Sequence, residues 1–361
     1  MTSNILNLLK IFLPAVVAFI IGIAITPFWT NFLYKNEMWK KKAKSVSSLD
    51  GGATPIFNSL HKDRETSVPR LGGVIIWASA FITMAIFWLL AKTFSASPLL
   101  VKIDFLSRDQ TWIPLFALLF GALIGLIDDL MDIRGSLDCK AGGLSLRKRL
   151  FWVGLIALAA GLWFYFKLEV TNLGIPFYGD LYIGWLIIPL FILVTLGIYS
   201  GGVIDGLDGL AGGIFSIIFS AYGLIAFFQH QINLAAFCTV IVGALLAFLW
   251  FNIPPARFYM TETGSMAITL ALAMVAFLTD ATGGGSGIVV LPIIAFPLVA
   301  TTASNIIQGL SKKIRGRKIF LVAPLHHHFE ALGWPAYKVT MRYWIIGVIS
   351  ALVGVIIALV G

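Results

Sequence analysis

The chain has 361 residues, 59% of them hydrophobic and only 12% charged, with a formal net charge of +9 and a mean hydropathy of +0.92. This balance excludes a water-soluble domain and makes lipid the main solvent. The positive excess fits membrane topology and anionic headgroups, and no basic, aromatic-interleaved module for nucleic acid is visible.

Apolar runs near the ~20 residues that cross a hydrocarbon core as a helix recur throughout. Ten spans are predicted, at 8–33, 71–91, 111–130, 150–166, 181–199, 210–229, 232–251, 265–280, 285–307 and 342–360. The runs are continuous and rich in Leu, Ile, Ala and Phe, unlike the alternating ten-residue segments of a barrel. The predicted fold class is therefore an all-α integral membrane protein, a single polytopic domain over 1–361 without internal repeats. The first run is too long for a signal-peptide core and no small-residue cleavage site follows it, so it is read as a retained span.

Orientation follows from the basic residues, which stay cytoplasmic near span ends. Segment 34–70 carries eight Lys and Arg, 131–149 five, 252–263 one and 308–342 seven; Lys10, Lys92, Lys102, Arg108 and Lys167 on the other side complete the 26. Both termini are thus predicted outside, with 34–70, 131–149, 200–209, 252–264 and 308–341 as cytoplasmic loops. Cys139 falls in such a loop and Cys238 inside a span, so no disulfide is expected.

Along the chain, the acids gather at span ends on that cytoplasmic side. Asp128 and Asp129 close the third span, Asp205 and Asp208 sit in VIDGLDGLAGG, and Glu262 precedes the eighth span in YMTETGS. Taken singly each is equally well a solvated helix end; five on one face point to chemistry. Adjacent carboxylates repel and need a cation or a shared proton, and hard oxygen ligands suit Mg²⁺ better than zinc. Arg70, Arg134, Lys140, Arg147, Lys148 and Arg149 supply positive charge nearby, a combination suited to phosphoryl chemistry. Flanking glycines at 72–73, 201–202, 206, 209 and 212–213 permit close backbone approach to a ligand or simply tight helix packing. The last loop holds His326, His327 and His328; three adjacent histidines cannot share one helix face, and phosphate or sugar contact suits them better than zinc. Mid-span ionisable groups of the kind ion-coupled transporters use are nearly absent.

These motifs resemble the polyprenyl-phosphate N-acetylhexosamine-1-phosphate transferases of glycosyltransferase 4 type, and within them the phospho-N-acetylmuramoyl-pentapeptide transferases. The resemblance rests on SNIIQ from Ser304, on KIRGRKIFLVAPLHHHFEALGWP and MRYWIIG, on FLWFNIPPARFYMTETGSMA, on DGLDGLAGG and on the Asp128–Asp129 pair. It implies a ten-helix bacterial inner-membrane enzyme acting in peptidoglycan synthesis. The implied reaction is Mg²⁺-dependent attack by undecaprenyl phosphate on UDP-N-acetylmuramoyl-pentapeptide, releasing UMP. Members commonly dimerise, so a homodimer is implied as well, beside contact with membrane lipids.

By the same resemblance Asp128 and Asp129 serve the lipid phosphate and proton handling, and Asp205 is a third catalytic acid. Glu262 and Asp208 are the implied metal ligands. Arg70, Asn252, Ser265, Gln308 and His326 to His328 are implied substrate contacts. Several positions depart from the family pattern: Glu262 stands for Asp, Thr261 for Gly, Tyr199 and Gly202 for asparagines, and Asp132 for a lysine. SVPRLGG is closer to relatives that use UDP-N-acetylglucosamine, and Arg70 or Lys140 is the candidate to replace the missing lysine. A transferase acting on another UDP-N-acetylhexosamine and a non-catalytic homologue binding lipid phosphate are therefore the alternative readings.

Overall fold

A computed structural model describes residues 3–40, 66–135, 143–281 and 285–361. Cys139, Lys140 and most of the predicted 34–70 loop lie outside the described residues. In hydrocarbon every backbone N–H and C=O must find a partner within the chain, and helices meet that demand locally. Helices accordingly dominate: α1 (Ser3–Lys35), α2 (Gly73–Thr93), α3 (Pro98–Ile103), α4 (Trp112–Ile133), α5 (Leu146–Lys167), α6 (Ile187–Ser200), α7 (Leu210–Phe228), α8 (Ile232–Asn252), α9 (Thr261–Ala281), α10 (Leu291–Ile294), α11 (Phe296–Arg315), α12 (Leu325–Ala331) and α13 (Ala336–Val360). Among the described residues nine helices are long and apolar enough to cross a membrane, namely α1, α2, α4 to α9 and α13, with α6 extended by flanking 3-10 turns.

The ninth predicted span, 285–307, is corrected by the structure: it is not one continuous helix. Pro292 and Pro297 each lack an N–H, and the chain breaks at Ala295 between α10 and α11. The second piece is also strongly two-faced, ending in Lys312, Lys313 and Arg315 before Gly316 closes it in a left-handed cap. The broken segment still carries the chain from one end of the bundle to the other. Its start packs on a hairpin that the apolar runs did not predict, β1 (Asn172–Ile175) paired with β2 (Gly179–Tyr182), and its far end leads to α12 beside the acidic loops. Nine long apolar helices and this segment thus run between the two ends of the bundle among the described residues.

Both termini therefore lie at the hairpin end. The Phe177 N–H donates to the carbonyl of Gly361 at 2.9 Å, and α1 packs along α8, with Thr239 Oγ1 donating to Ile11 O at 2.8 Å. Asp280, buried at that end, accepts from the backbone N–H of Gly174 at 3.0 Å and of Ile288 at 3.2 Å, tying the hairpin to α9.

The bundle is built around α9, whose apolar window is 94% buried, whereas α1 and α5 turn most of their surface outward at 22% each. Phe191 stacks on Phe277 at 3.9 Å between ring centres, with Phe164 closing the cluster from α5. Small residues let backbones meet where the functional end is assembled. A Cβ on Gly73 would overlap the backbone of Gly264, and one on Gly125 the backbone of Glu262. These two glycines set α2 and α4 directly against the first turn of α9.

Because the Gly264 backbone cannot yield as a flexible side chain would, Gly73→Ala is expected to destabilise the protein by about 1–3 kcal/mol. Gly154→Ala, where nothing lies within 4 Å of the added carbon, is the control. Thermal unfolding in detergent should show a lowered midpoint for the first and an unchanged one for the second.

Candidate active site

The site end is assembled from the last turn of α4, the first turns of α5 and α9, the segment preceding α2, the 201–209 turn and α12. Asp128 and Asp129 are not at a solvated helix terminus but inside the final turns of α4, both fully buried. Two adjacent buried carboxylates need compensation, and each has its own arginine. Arg149 Nε donates to Asp128 Oδ1 at 3.1 Å and its Nη2 pairs with Oδ2 at 3.0 Å. The Leu144 N–H is a second hydrogen-bond donor to Asp128 Oδ1, at 2.6 Å. Through Nη1 the same guanidinium reaches Glu262, so one rigid planar cation bridges α4 to α9.

Asp129 is held differently. Arg70 Nη2 donates to its Oδ1 at 2.9 Å. Its Oδ2 accepts from Thr261 Oγ1 at 2.5 Å, from the Thr263 N–H at 2.8 Å and from Thr263 Oγ1 at 2.6 Å. Four donors thus converge on this one carboxylate. Arg70 also pairs with Asp132 at 3.2 Å, which Lys40 joins at 3.3 Å. Asp132 is thus absorbed in a network with the residue predicted to replace the missing lysine. Burial works against the Arg70 charge, and Asp129 and Asp132 more than offset it, so its pKa is raised.

Asp205 follows the 3-10 turn and accepts from the Thr261 N–H at 2.8 Å. Burial pushes its carboxyl up to about 6, against the opposing effects of that N–H and of Arg70. Asp208 accepts from the Ala256 N–H at 3.1 Å and thereby holds the 253–258 loop. Asn252 braces the same region, since its Oδ1 accepts from the Gly209 N–H at 3.0 Å and its Nδ2 donates to Phe258 O at 2.8 Å. Gly209 is in the left-handed region at φ 75°, where glycine is at home. Ser265 is buried against Gly202.

Gln308, predicted as a substrate contact, spends its amide on the chain. Its Oε1 accepts from the N–H groups of Ile319 and Phe320 at 3.0 Å each, and its Nε2 donates to Phe320 O at 2.9 Å. The three histidines do not share a face. His326 and His327 are buried against Gly206, where any Cβ would collide with both rings. His327 Nδ1 lies 2.7 Å from Glu330 Oε2. His328 turns away, its Nδ1 accepting from the Leu321 N–H at 3.2 Å. Arg134, Arg147 and Lys148 are exposed.

The structure thus brings Asp128, Asp129, Asp205, Glu262 and Arg70 together, and joins His326 and His327 to them through the Asp205–Asp208 loop. Asn252, Gln308 and Asp208 instead brace the loops that frame the site. The central place of Arg149, Thr261 and Thr263 was not read from the sequence. Spacing offered no signal for the 21-residue link from Asp128 to Arg149, although Thr–Glu–Thr in a first helical turn could have suggested donors. Among the described residues no three His, Cys, Asp or Glu side chains converge on one point as a ready-made metal cage.

Relatives match nearly the whole chain. A phospho-N-acetylmuramoyl-pentapeptide-transferase of Chloroflexus aurantiacus is 32% identical over 98% of this chain and 91% of its own length. The enzymes of that name from Bacillus cytotoxicus and Listeria welshimeri are 32% and 33% identical, covering 94% and 95% of this chain and 95% and 96% of their own. This chain belongs to the phospho-N-acetylmuramoyl-pentapeptide-transferase family. The profile of glycosyl transferase family 4 also matches residues 111–280, a stretch that contains all five acids.

Arg149→Met in this family member strands Asp128 and Glu262, and removing one partner of a buried pair costs about 3–5 kcal/mol. The unfolding midpoint is expected to fall sharply, and a second substitution, Asp128→Asn, to recover part of the loss. A double variant no more stable than the single one would contradict the pairing.

Proposed function

We propose that the protein transfers phospho-N-acetylmuramoyl-pentapeptide from its UDP-linked donor to undecaprenyl phosphate, forming the first lipid intermediate of peptidoglycan synthesis. The observation that carries this reading is the buried pair Asp128 and Asp129, balanced by Arg149 and Arg70, with the part-exposed Glu262 on Arg149 and Asp205 beside them, at one end of a membrane bundle, on a chain related throughout its length to transferases of that name. An oxygen of the lipid phosphate attacks the phosphorus attached to the sugar. The bond between that phosphorus and the bridging oxygen breaks, and UMP departs with the electron pair. Such transfer demands positioning and charge neutralisation more than covalent help from the protein.

Within that reading either Asp128 or Asp205 receives the one proton of the attacking phosphate, while Asp129, bonded to four donors, anchors the site. Arg70 and Arg149 face the anionic groups, and His326 and His327 line the donor side next to Gly206. Of the two implied metal ligands Glu262 is the one that reaches the acidic group and would hold Mg²⁺ through hard oxygens, since the ion takes as few as one or two protein carboxylates, whereas Asp208 braces the 253–258 loop. When bound, the ion would offset charge on the diphosphate. The basic residues concentrated at the site end support a cytoplasmic face there, with both termini across a bacterial inner membrane. A homodimer is part of the same proposal.

Purified protein in detergent with Mg²⁺ and undecaprenyl phosphate should release UMP from UDP-N-acetylmuramoyl-pentapeptide and not from UDP-N-acetylglucosamine. Asp128→Asn should lower that release by at least about a hundredfold. Release from the second donor alone would sink the pentapeptide assignment, and none from either would favour a non-catalytic lipid-phosphate binder.

A further inference from the structure

Two bulky residues at the site end hold backbone conformations that L-residues rarely adopt. Leu71 has φ 68° and Thr261 has φ 57°, and for a β-branched threonine that is a genuine outlier. They are bonded to each other, the Leu71 N–H donating to Thr261 Oγ1 at 3.3 Å. Such strain persists only where the surroundings over-determine the backbone. Here Gly72 N–H donates to Tyr259 O at 2.8 Å, Gly73 N–H to Met260 O at 3.2 Å and Tyr259 N–H to Pro69 O at 2.9 Å. The segment before α2 is thereby clamped to the segment before α9.

The conformation gives Thr261 two outputs. Its N–H points at Asp205 Oδ2 at 2.8 Å and its hydroxyl at Asp129 Oδ2 at 2.5 Å. The hydroxyl has a single proton, with the carbonyl of Met260 also in range at 2.8 Å; the shorter, charge-assisted contact to the carboxylate takes it. One residue thus spans two acids contributed by different parts of the chain, and few rotatable bonds separate its own two donors. Glycine would adopt this φ without strain and would keep the N–H, but it would lose the contact to Asp129.

We propose that Thr261 is a positioning residue that fixes the Asp129 and Asp205 carboxylates relative to one another for the transfer step, the strain at Thr261 and Leu71 being the cost of that alignment. The inference rests on the phosphotransferase reading. It separates stability from rate, because removing the Thr261 side chain relieves strain while disconnecting one acid.

UMP release and thermal unfolding of the full chain in detergent, for wild type, Thr261→Gly and Thr261→Ser, test it. The glycine variant should unfold at or above the wild-type midpoint, yet lose on the order of tenfold to a hundredfold in kcat with KM within about twofold. The serine variant, which keeps the hydroxyl, should retain most of the turnover. A glycine variant with wild-type kcat, equal losses in both variants, or a loss matched by a lowered unfolding midpoint would each overturn the positioning role. No release by the wild type would sink the transferase reading itself and this inference with it, whereas wild-type release with an undiminished glycine variant sinks the inference alone.

Discussion

Two buried carboxylates side by side near the end of a helix are the constraint around which the functional end is organised. Placing Asp128 and Asp129 out of water is costly unless each has a close cation and further donors. The chain meets this by bringing in partners from other segments: Arg149 and Leu144 from the start of α5 and its approach, Arg70 from the approach to α2, and Thr261 and Thr263 from α9. The same bonds that neutralise the acids therefore set the relative positions of these elements. Glu262 and Asp132 extend the two arginine networks, and neither arginine serves a single acid.

This economy depends on backbone contact. Direct side-chain bonds between α4 and α9, such as that of 2.5 Å from Thr261 to Asp129, are available only because Gly125 lets the two helices touch, while Gly73 does the same for α2. The apolar remainder of the bundle, from the Phe164–Phe191–Phe277 cluster to the small-residue seam between α1 and α8, holds those helices in register. Asp280 lies at the opposite end. There a buried carboxylate braces the hairpin against α9 with backbone donors, so a carboxylate in this protein is not of itself a sign of catalysis.

Much of the fold was legible because lipid leaves few choices. A continuous apolar run must be a helix, and the long helices fall close to the predicted runs. The ninth run misled for the same reason: hydropathy reads composition and is blind to what Pro292 and Pro297 do to a helix, or to a basic face that begins only at Lys312. At the site, the acids were legible because carboxylates are conspicuous in an apolar chain. Asn252 and Gln308 were picked out only through the resemblance, as substrate contacts and not as braces, since an amide that binds loop backbone looks in sequence like one that binds a ligand. Thr261 stood out only as a departure from the family's glycine, and its strained backbone was hidden because threonine is among the last residues expected at a positive φ.

The arrangement also bears on how an anionic substrate could enter. Within the transferase reading, a diphosphate approaching this end meets cations that are already engaged: Arg70 by Asp129 and Asp132, Arg149 by Asp128 and Glu262. Binding is then an exchange of one anion for another on the same planar guanidinium, and carboxylate and phosphate are similar in what they offer to it. Of these acids, Glu262 is the one with appreciable solvent access, at 22% for its side chain against none for Asp128 and Asp129. It therefore gives up its arginine at the smallest desolvation cost, while Asp129, with three further donors, remains the fixed point against which any movement of Arg70 is measured.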